Sequence, residues 1–191
     1  MPEYFIRHME VDELDGFYKR IDGDFPPAEH ASRQVFYQQI LSGLQQGLVF
    51  GDKAGDLAYS VCASNHANGY VLISFFAVFP EFRGQGIGTA FLRALSARYA
   101  HKQALIVEVE RLELAKTAKD LELRRRRINF YKKAGFLLIK GIDYSVWDVR
   151  MNLMALPLNS SFQIIEKQIE IIMYQIYLKT AGESAIHKVR F

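Results

Sequence analysis

The stretch EFRGQGIGTAFL, residues 81–92, sets Gly84, Gly86 and Gly88 at every second position behind Arg83 and runs straight into an apolar helical pattern. Glycine loses more chain entropy on folding than any other residue, so three together need a reason. One reason is an anion cradle. With no Cβ atoms in the way, backbone N–H groups converge on a phosphate, and the unpaired donors and positive dipole end of the following helix add to them. Arg83 would add a full charge. The other reason is a tight strand-to-helix turn whose glycines serve packing. A second chemical feature is LIVEVE, residues 105–110. Side chains alternate along a strand, so Leu105, Val107 and Val109 share one face and Ile106, Glu108 and Glu110 the other. Two acids on one face of a central strand are costly unless that face meets water or a ligand. The run of four arginines at 124–127 suits pairing with phosphate. It suits equally a solvated charged face paired with Asp120 and Glu122.

The nucleotide motifs that glycine loops usually serve do not fit. A G-x-G-x-x-G fingerprint would need glycine where Thr89 and Phe91 stand, and the G-x-x-x-x-G-K-[ST] pattern is absent. Glu108 does lie 20 residues beyond Gly88, where dinucleotide folds keep a ribose-binding acid. Those folds, however, open with βαβ units, and the elements here are arranged differently.

EYFIRHM alternates like a first strand, and Val11, Leu14, Phe17 and Ile21 recur at helical spacing until FPP at 25–27 ends the segment. A second helix is expected from a cap at Ser32 to about Gly43. The period then changes to two. GLVFGD, LAYSVCAS and YVLISFFAVF, joined by DKAGD and SNHANG, read as a three-stranded antiparallel meander over 47–80. After the glycines, Ile87, Phe91, Leu92, Leu95 and Tyr99 form one helical face, and QALIVEVE is the next strand, so one βαβ crossover carries the glycine turn at its first corner. INFYKKAGF reads as a short helix closed by Gly135. Two strands are expected in FLLIKGIDYSVW and VRMNLMALPL. A final helix over 160–181 has Phe162, Ile165, Ile169, Ile172, Met173 and Ile176 on a wide apolar face.

With 191 residues, half of them apolar, the chain is expected to form one core. Its single cysteine, Cys62, makes no internal disulfide and no cysteine metal site, and it reads as a small buried hydrophobe of a reducing compartment. The five histidines, His8, His30, His66, His101 and His187, lack metal-ligand spacing, so no metal is expected. No signal-like or membrane-length apolar run occurs, and a net charge of +3 does not argue for nucleic acid. The expectation is a cytoplasmic protein with neither membrane nor nucleic-acid partners.

Residues 83–88, RGQGIG, match the R/Q-x-x-G-x-G/A motif of the GNAT superfamily of N-acetyltransferases. FFAVFPEFRGQGIGTAFL resembles that family's fourth strand, pyrophosphate loop and third helix, and INFYKKAGF its tyrosine-bearing helix. The resemblance covers about residues 3–158. It implies an α+β GNAT fold, a mixed and mostly antiparallel sheet flanked by helices, spanning 1–159, with 160–191 as a helical extension packed on the domain or on a partner. It also implies acetyl-CoA as cosubstrate. The pantetheine arm would lie between the fourth and fifth strands against backbone near Ala77 and Val78, where an amide can also polarise the thioester carbonyl. The pyrophosphate would take N–H groups around Gly84, Gln85, Gly86, Gly88 and Thr89, with Arg83 beside it.

Direct attack by an amine on the thioester needs a proton donor for the sulfur and an acceptor for the ammonium. Tyr131 matches the family's acid. The fourth strand here carries no acid, which some relatives use as base. Glu108 on the fifth strand is therefore the amine-facing candidate, as a base or as an anchor for a cation. Members commonly carry asparagine and alanine seven and four residues before the tyrosine, where this chain has Arg124 and Arg127. Those arginines would meet the CoA 3′-phosphate, an acidic substrate or neighbouring acids, and Tyr144 would line the acceptor pocket. The expected acceptor is a small-molecule or peptide primary amine, and the expected assembly a monomer or homodimer. A CoA-binding module without chemistry is the alternative, and an RNA-associated basic protein a third reading.

Overall fold

A computed structural model describes residues 3–65 and 69–191, so the middle of SNHANG, residues 66–68 with His66, lies outside the described residues. Strand β1 (Phe5–His8) leads through a 3-10 turn at 11–13 into α1 (Leu14–Asp24) and α2 (Arg33–Leu41). Leu14, Phe17 and Ile21 are buried as their spacing requires. Val11, expected on the same stripe, is exposed, because the tighter 3-10 winding before α1 rotates it off that face. Ser32 caps α2 by accepting a hydrogen bond from the Val35 amide. The meander follows as β2 (Gln45–Asp52), β3 (Gly55–Asn65) and β4 (Tyr70–Val78). The crossover helix α3 (Ile87–Arg98) then delivers β5 (Ala104–Glu110) parallel to β4.

The short helix expected at INFYKKAGF is the end of a longer one, α4 (Ala118–Lys133). Sequence periodicity misses its first half because only Ile128 and Tyr131 of this helix are buried. The Thr117 cap and the i,i+4 pairs Asp120–Arg124 and Glu122–Arg126 support it instead of an apolar stripe. FLLIKGIDYSVW also departs from expectation. It supplies only β6 (Leu137–Leu138) and β7 (Ser145–Val146), because the Arg111 guanidinium holds the intervening loop through the carbonyls of Ile142 and Tyr144, with Met151 O beside them. The expected strand β8 (Val149–Pro157) and helix α5 (Phe162–Ala181) follow, and a short β9 (Val189–Arg190) closes on β7.

The architecture is α+β, with all strands in a sheet of order β1-β2-β3-β4-β5-β8-β7-β9 and β6 paired beside β8. One face is covered by α3 and α4, whose Phe91, Leu95 and Ile128 pack on Phe50, Val71, Leu105 and Val107. The other face is covered in two halves. Helices α1 and α2 sit on Val49, Tyr59 and Val61, while α5 sits with Ile169, Met173 and Ile176 on Tyr70, Ile106 and Leu153.

One irregularity positions everything that follows. Val61 of β3 faces Phe75, but the next residue, Cys62, faces Ile73, so Ser74 is an extra residue in β4. Such a bulge bends its strand and reverses the inward and outward alternation beyond it. Pairing of β4 with β5 runs from Tyr70–Ala104 to Ile73–Val107 and stops there, at the bulge. Beyond it the two parallel strands separate.

Candidate active site

Past Ile73 and Val107 the edge of β4 that would face β5 has no strand to bond, which leaves alternate N–H and C=O groups of 74–78 facing the opening. A cavity of about 450 Å³ fills it, lined by Ala77, Val78, Arg83, Glu108 and Tyr131 among others. Five of the residues expected from sequence thus border one space. A second cavity of about 360 Å³ lies between α2 and the end of α5. The two adjoin along Glu29, Ser74, Phe75, Glu108, Trp147 and Tyr177.

The glycine loop stands at the Val78–Arg83 end. Gly84 and Gly86 have φ of +79° and +81°, a region other residues rarely adopt, and a Cβ at either would meet open space. Gly86 is the cap of α3 with no side chain on the first-turn donors, so the amides of Ile87, Gly88 and Thr89 have no intrahelical partner. These features fit a diphosphate held by backbone. Gly88 differs from its neighbours: a Cβ there would lie 3.2 Å from the Phe130 ring and 3.5 Å from Val78, so its smallness serves the packing of α3 against α4 and β4. Gln85 folds back, its side-chain amide donating to Glu81 O at 2.9 Å. Arg83 lies on the cavity wall with its guanidinium engaged, Nε donating to Val78 O and one terminal nitrogen to Asp24, both at 2.9 Å. In this arrangement Arg83 ties the loop to the end of β4 and to α1.

Tyr131 is buried between Phe130 and Phe136, and its ring borders the cavity. Among the described residues its hydroxyl has no hydrogen-bond partner. Burial, partly opposed by the Arg127 charge, pushes its pKa up to about 12, so it carries its proton at neutral pH. Cys62 does not border the cavity, and burial raises its thiol to about 11, so it is no thiolate nucleophile near neutrality.

Glu108 is half-buried where the two cavities meet rather than on a solvated strand end. Its carboxylate accepts Tyr144 Oη at 2.5 Å on Oε1 and Tyr177 Oη at 3.0 and 2.9 Å on its two oxygens. Burial raises its pKa, and the two phenols work against that rise. Glu110, on the same strand face, is instead paired with Arg127. The rest of the arginine run is also occupied: Arg124 binds Asp120 and the Arg111 carbonyl, while Arg125 and Arg126 share Glu122. Neighbouring acids therefore account for all four.

Sequence reasoning missed Glu29, Trp147 and Tyr177. Glu29 closes a proline turn, its amide donating to Pro26 O at 2.9 Å, and its carboxylate has no hydrogen-bond or ion-pair partner among the described residues. Burial raises its pKa, with Arg127 opposing and Glu108 reinforcing the rise. Trp147 stands at φ +53° in the two-residue β7–β8 turn, with its ring edge-on to Tyr177. Tyr177 had a readable signal. It lies four residues after Met173 on the buried stripe of α5, and a polar tip on a buried stripe needs a partner. Among the described residues no group of three or more His, Cys, Asp or Glu is arranged to hold a metal, and no helix is long and apolar enough to cross a membrane.

Residues 45–137, which hold the meander, the loop, α3, β5 and α4, match the family described as acetyltransferase (GNAT) domain. The fold is that of the GNAT acetyltransferases. Solved structures share this fold over 81–93% of the chain. A putative GNAT-family acetyltransferase from Bacteroides thetaiotaomicron has a TM-score of 0.75 at 20% identity, covering 93% of this chain and 98% of its own. The ribosomal-protein-S18-alanine N-acetyltransferase of Escherichia coli has a TM-score of 0.58 at 21% identity, with 83% and 96% covered. A variant of spermidine N-acetyltransferase from Vibrio cholerae has a TM-score of 0.59 at 14% identity, with 81% and 94% covered. No curated protein matches the sequence. In the GNAT frame β4 and β5 are the splayed strands, the 83–89 loop is the expected cosubstrate loop, and α4 is the tyrosine-bearing helix.

Proposed function

We propose that this chain transfers an acetyl group from acetyl-CoA to a primary amine by direct attack in a ternary complex. The observation that carries the reading is the shared cavity. The unpartnered Tyr131 hydroxyl and the Glu108 carboxylate border one space that opens at the β4–β5 separation and ends beside the glycine loop. Acetyl-CoA supplies an acetyl group activated as a thioester. Backbone amides of 84–89 would hold its diphosphate, and the free edge of β4 near Ala77 and Val78 its pantetheine arm.

The acceptor would enter through the second cavity, where Glu29 and Glu108 present carboxylates beside the Trp147 and Tyr177 rings. Neither acid is neutralised by a cation, which favours an ammonium. Solved relatives whose names state an acceptor, alanine of a ribosomal protein and spermidine, also take amines. Glu108 takes one proton from the ammonium. The freed nitrogen forms its bond to the acetyl carbon, the carbon–sulfur bond breaks, and its electron pair stays on sulfur. Tyr131 gives that sulfur its proton and regains one from the nitrogen as the amide forms, while the proton on Glu108 leaves to solvent.

The test is thiol release from acetyl-CoA across polyamines, aminoglycosides, amino acids and peptides, with wild type and Tyr131→Phe. Turnover with at least one amine is expected. The phenylalanine variant should lose about 10²-fold or more in kcat with acetyl-CoA affinity kept. Tight CoA binding with silence across the panel would replace this reading with a non-catalytic CoA-binding module.

A further inference from the structure

Glu108 poses a physical problem that its partners resolve. A desolvated carboxylate without a cation is driven toward its neutral form, and a neutral Glu108 could accept no proton. The cations of the cavity are committed elsewhere, Arg127 to Glu110 and Arg83 to Asp24. Glu108 has instead two neutral donors, the phenols of Tyr144 and Tyr177. The choice matters chemically. An arginine would stabilise the carboxylate but cancel its charge toward the substrate, whereas a phenol stabilises it and leaves the full negative charge available to an ammonium.

Both phenols are themselves held. Tyr144 follows the loop pinned by Arg111 and packs its ring on Phe191. Tyr177 stands one turn before the end of α5, where Gln39 of α2 donates to Thr180 O at 2.9 Å and Lys179 donates to Ser64 O at 3.0 Å. Those two bonds anchor the end of α5 to α2 and to β3, and the first of them lies on the wall of the second cavity. Helix α5 lies wholly outside residues 45–137, the part that matches the family.

From this geometry we infer that Tyr177 is a positioning residue of the acetyl-transfer site: with Tyr144 it keeps Glu108 ionised and aimed at the acceptor, so α5 is part of the catalytic apparatus. The inference rests on the reading of Glu108 as the amine-facing acid. Other titratable or charged groups facing this carboxylate are Glu29 from the 27–29 turn, Glu110 with Arg127, Tyr131 of α4, and His30 and Lys188 on the second cavity. None of these bonds it; among the described residues its bonds come from Tyr144 and Tyr177.

The experiment compares full-length wild type, Tyr177→Phe and Tyr144→Phe, with Tyr174→Phe on the exposed face of α5 as control. Two quantities are read for each: kcat against pH with an accepted amine, and the protonation of Glu108 followed by NMR of carboxyl-labelled glutamate, assigned with Glu108→Gln. Removing one donor to a charged acceptor should move the acidic limb of kcat and the Glu108 titration upward together by about one pH unit. The KM for acetyl-CoA should stay near wild type, activity should recover at high pH, and Tyr174→Phe should match wild type. An unchanged titration in Tyr177→Phe overturns the inference whatever the rate does. A shifted titration in a protein that acetylates no amine keeps the Tyr177–Glu108 coupling and overturns the transferase reading instead.

Discussion

At one end of the β4–β5 opening the groups available for binding are backbone amides of a single loop; at the other they are carboxylates, phenols and an indole from five separate parts of the chain. The loop end is local. Gly84, Gly86 and the first turn of α3 are neighbours in sequence, and their positive φ angles and uncapped donors follow from that short stretch. The other end is assembled from a distance. Glu108 comes from β5, Glu29 from the turn after α1, Tyr144 and Trp147 from either side of β7, and Tyr177 from α5. The electrostatics differ in the same sense. At the loop end the fixed charge, Arg83, is matched by Asp24, whereas Glu29 and Glu108 face no matched cation and burial raises both. On the proposed reading, a cosubstrate end built of backbone would tolerate change in side chains, while an acceptor end built of side chains would be altered by single substitutions.

That contrast can be broken at three places. Gly86→Asp should have the largest effect, because it puts a negative charge where a diphosphate would bind while its Cβ meets open space. Aspartate tolerates left-handed backbone, so the protein should fold. Calorimetric titration should show CoA affinity reduced by roughly a hundredfold or more; near-normal affinity would move the cosubstrate elsewhere.

Glu108→Gln should leave CoA binding intact and lower kcat by about 10²-fold. It should also affect stability with a defined sign. Because burial raises its pKa, folded Glu108 binds its proton more tightly than the unfolded chain does, so its ionisation costs stability as pH rises through and above the ordinary carboxylate range. The glutamine variant should therefore melt at the same or a higher temperature than wild type at pH 8, with the gap closing toward pH 4. A variant that melts lower at pH 8 would show that the charge stabilises the fold.

The smallest effect is expected from Gly88→Ala. Its Cβ presses on the tip of the Phe130 ring, which can yield, so a loss of about 1 kcal/mol and a fall in Tm of about 2–4 °C should follow. CoA affinity should stay within about threefold. A large affinity loss without destabilisation would return Gly88 to the cradle.

The same division explains what could be read from sequence. The meander, α3, β5 and the glycine loop were legible because the strands are apolar runs buried on both faces between turn residues, because α3 buries a clear period-3.6 stripe, and because glycine spacing encodes backbone geometry directly. The first half of α4 was not, since charge pairs rather than an apolar stripe support it. Glu108 could be singled out as a misplaced acid, but its partners could not: Tyr144 and Tyr177 lie 36 and 69 residues away in sequence. The arginine run invited a phosphate partner, yet Asp120, Glu122 and Glu110 hold all four of its members. Tyr177 shows the kind of signal that remains usable, a hydroxyl placed on a helix stripe that the period says must be buried.

The extra residue at Ser74 acts as a stop on a zipper. Below it β4 and β5 are fastened through four residue pairs, and above it they are free. The depth of the opening is therefore set by where along β4 that one residue stands, at about 3.3 Å per position. Moved two places toward Tyr70, the same insertion would deepen the slot by about 7 Å and leave Val107 beside a gap. Shifting a single backbone defect would thus change the length of molecule the slot could hold, without altering any side chain proposed for the chemistry.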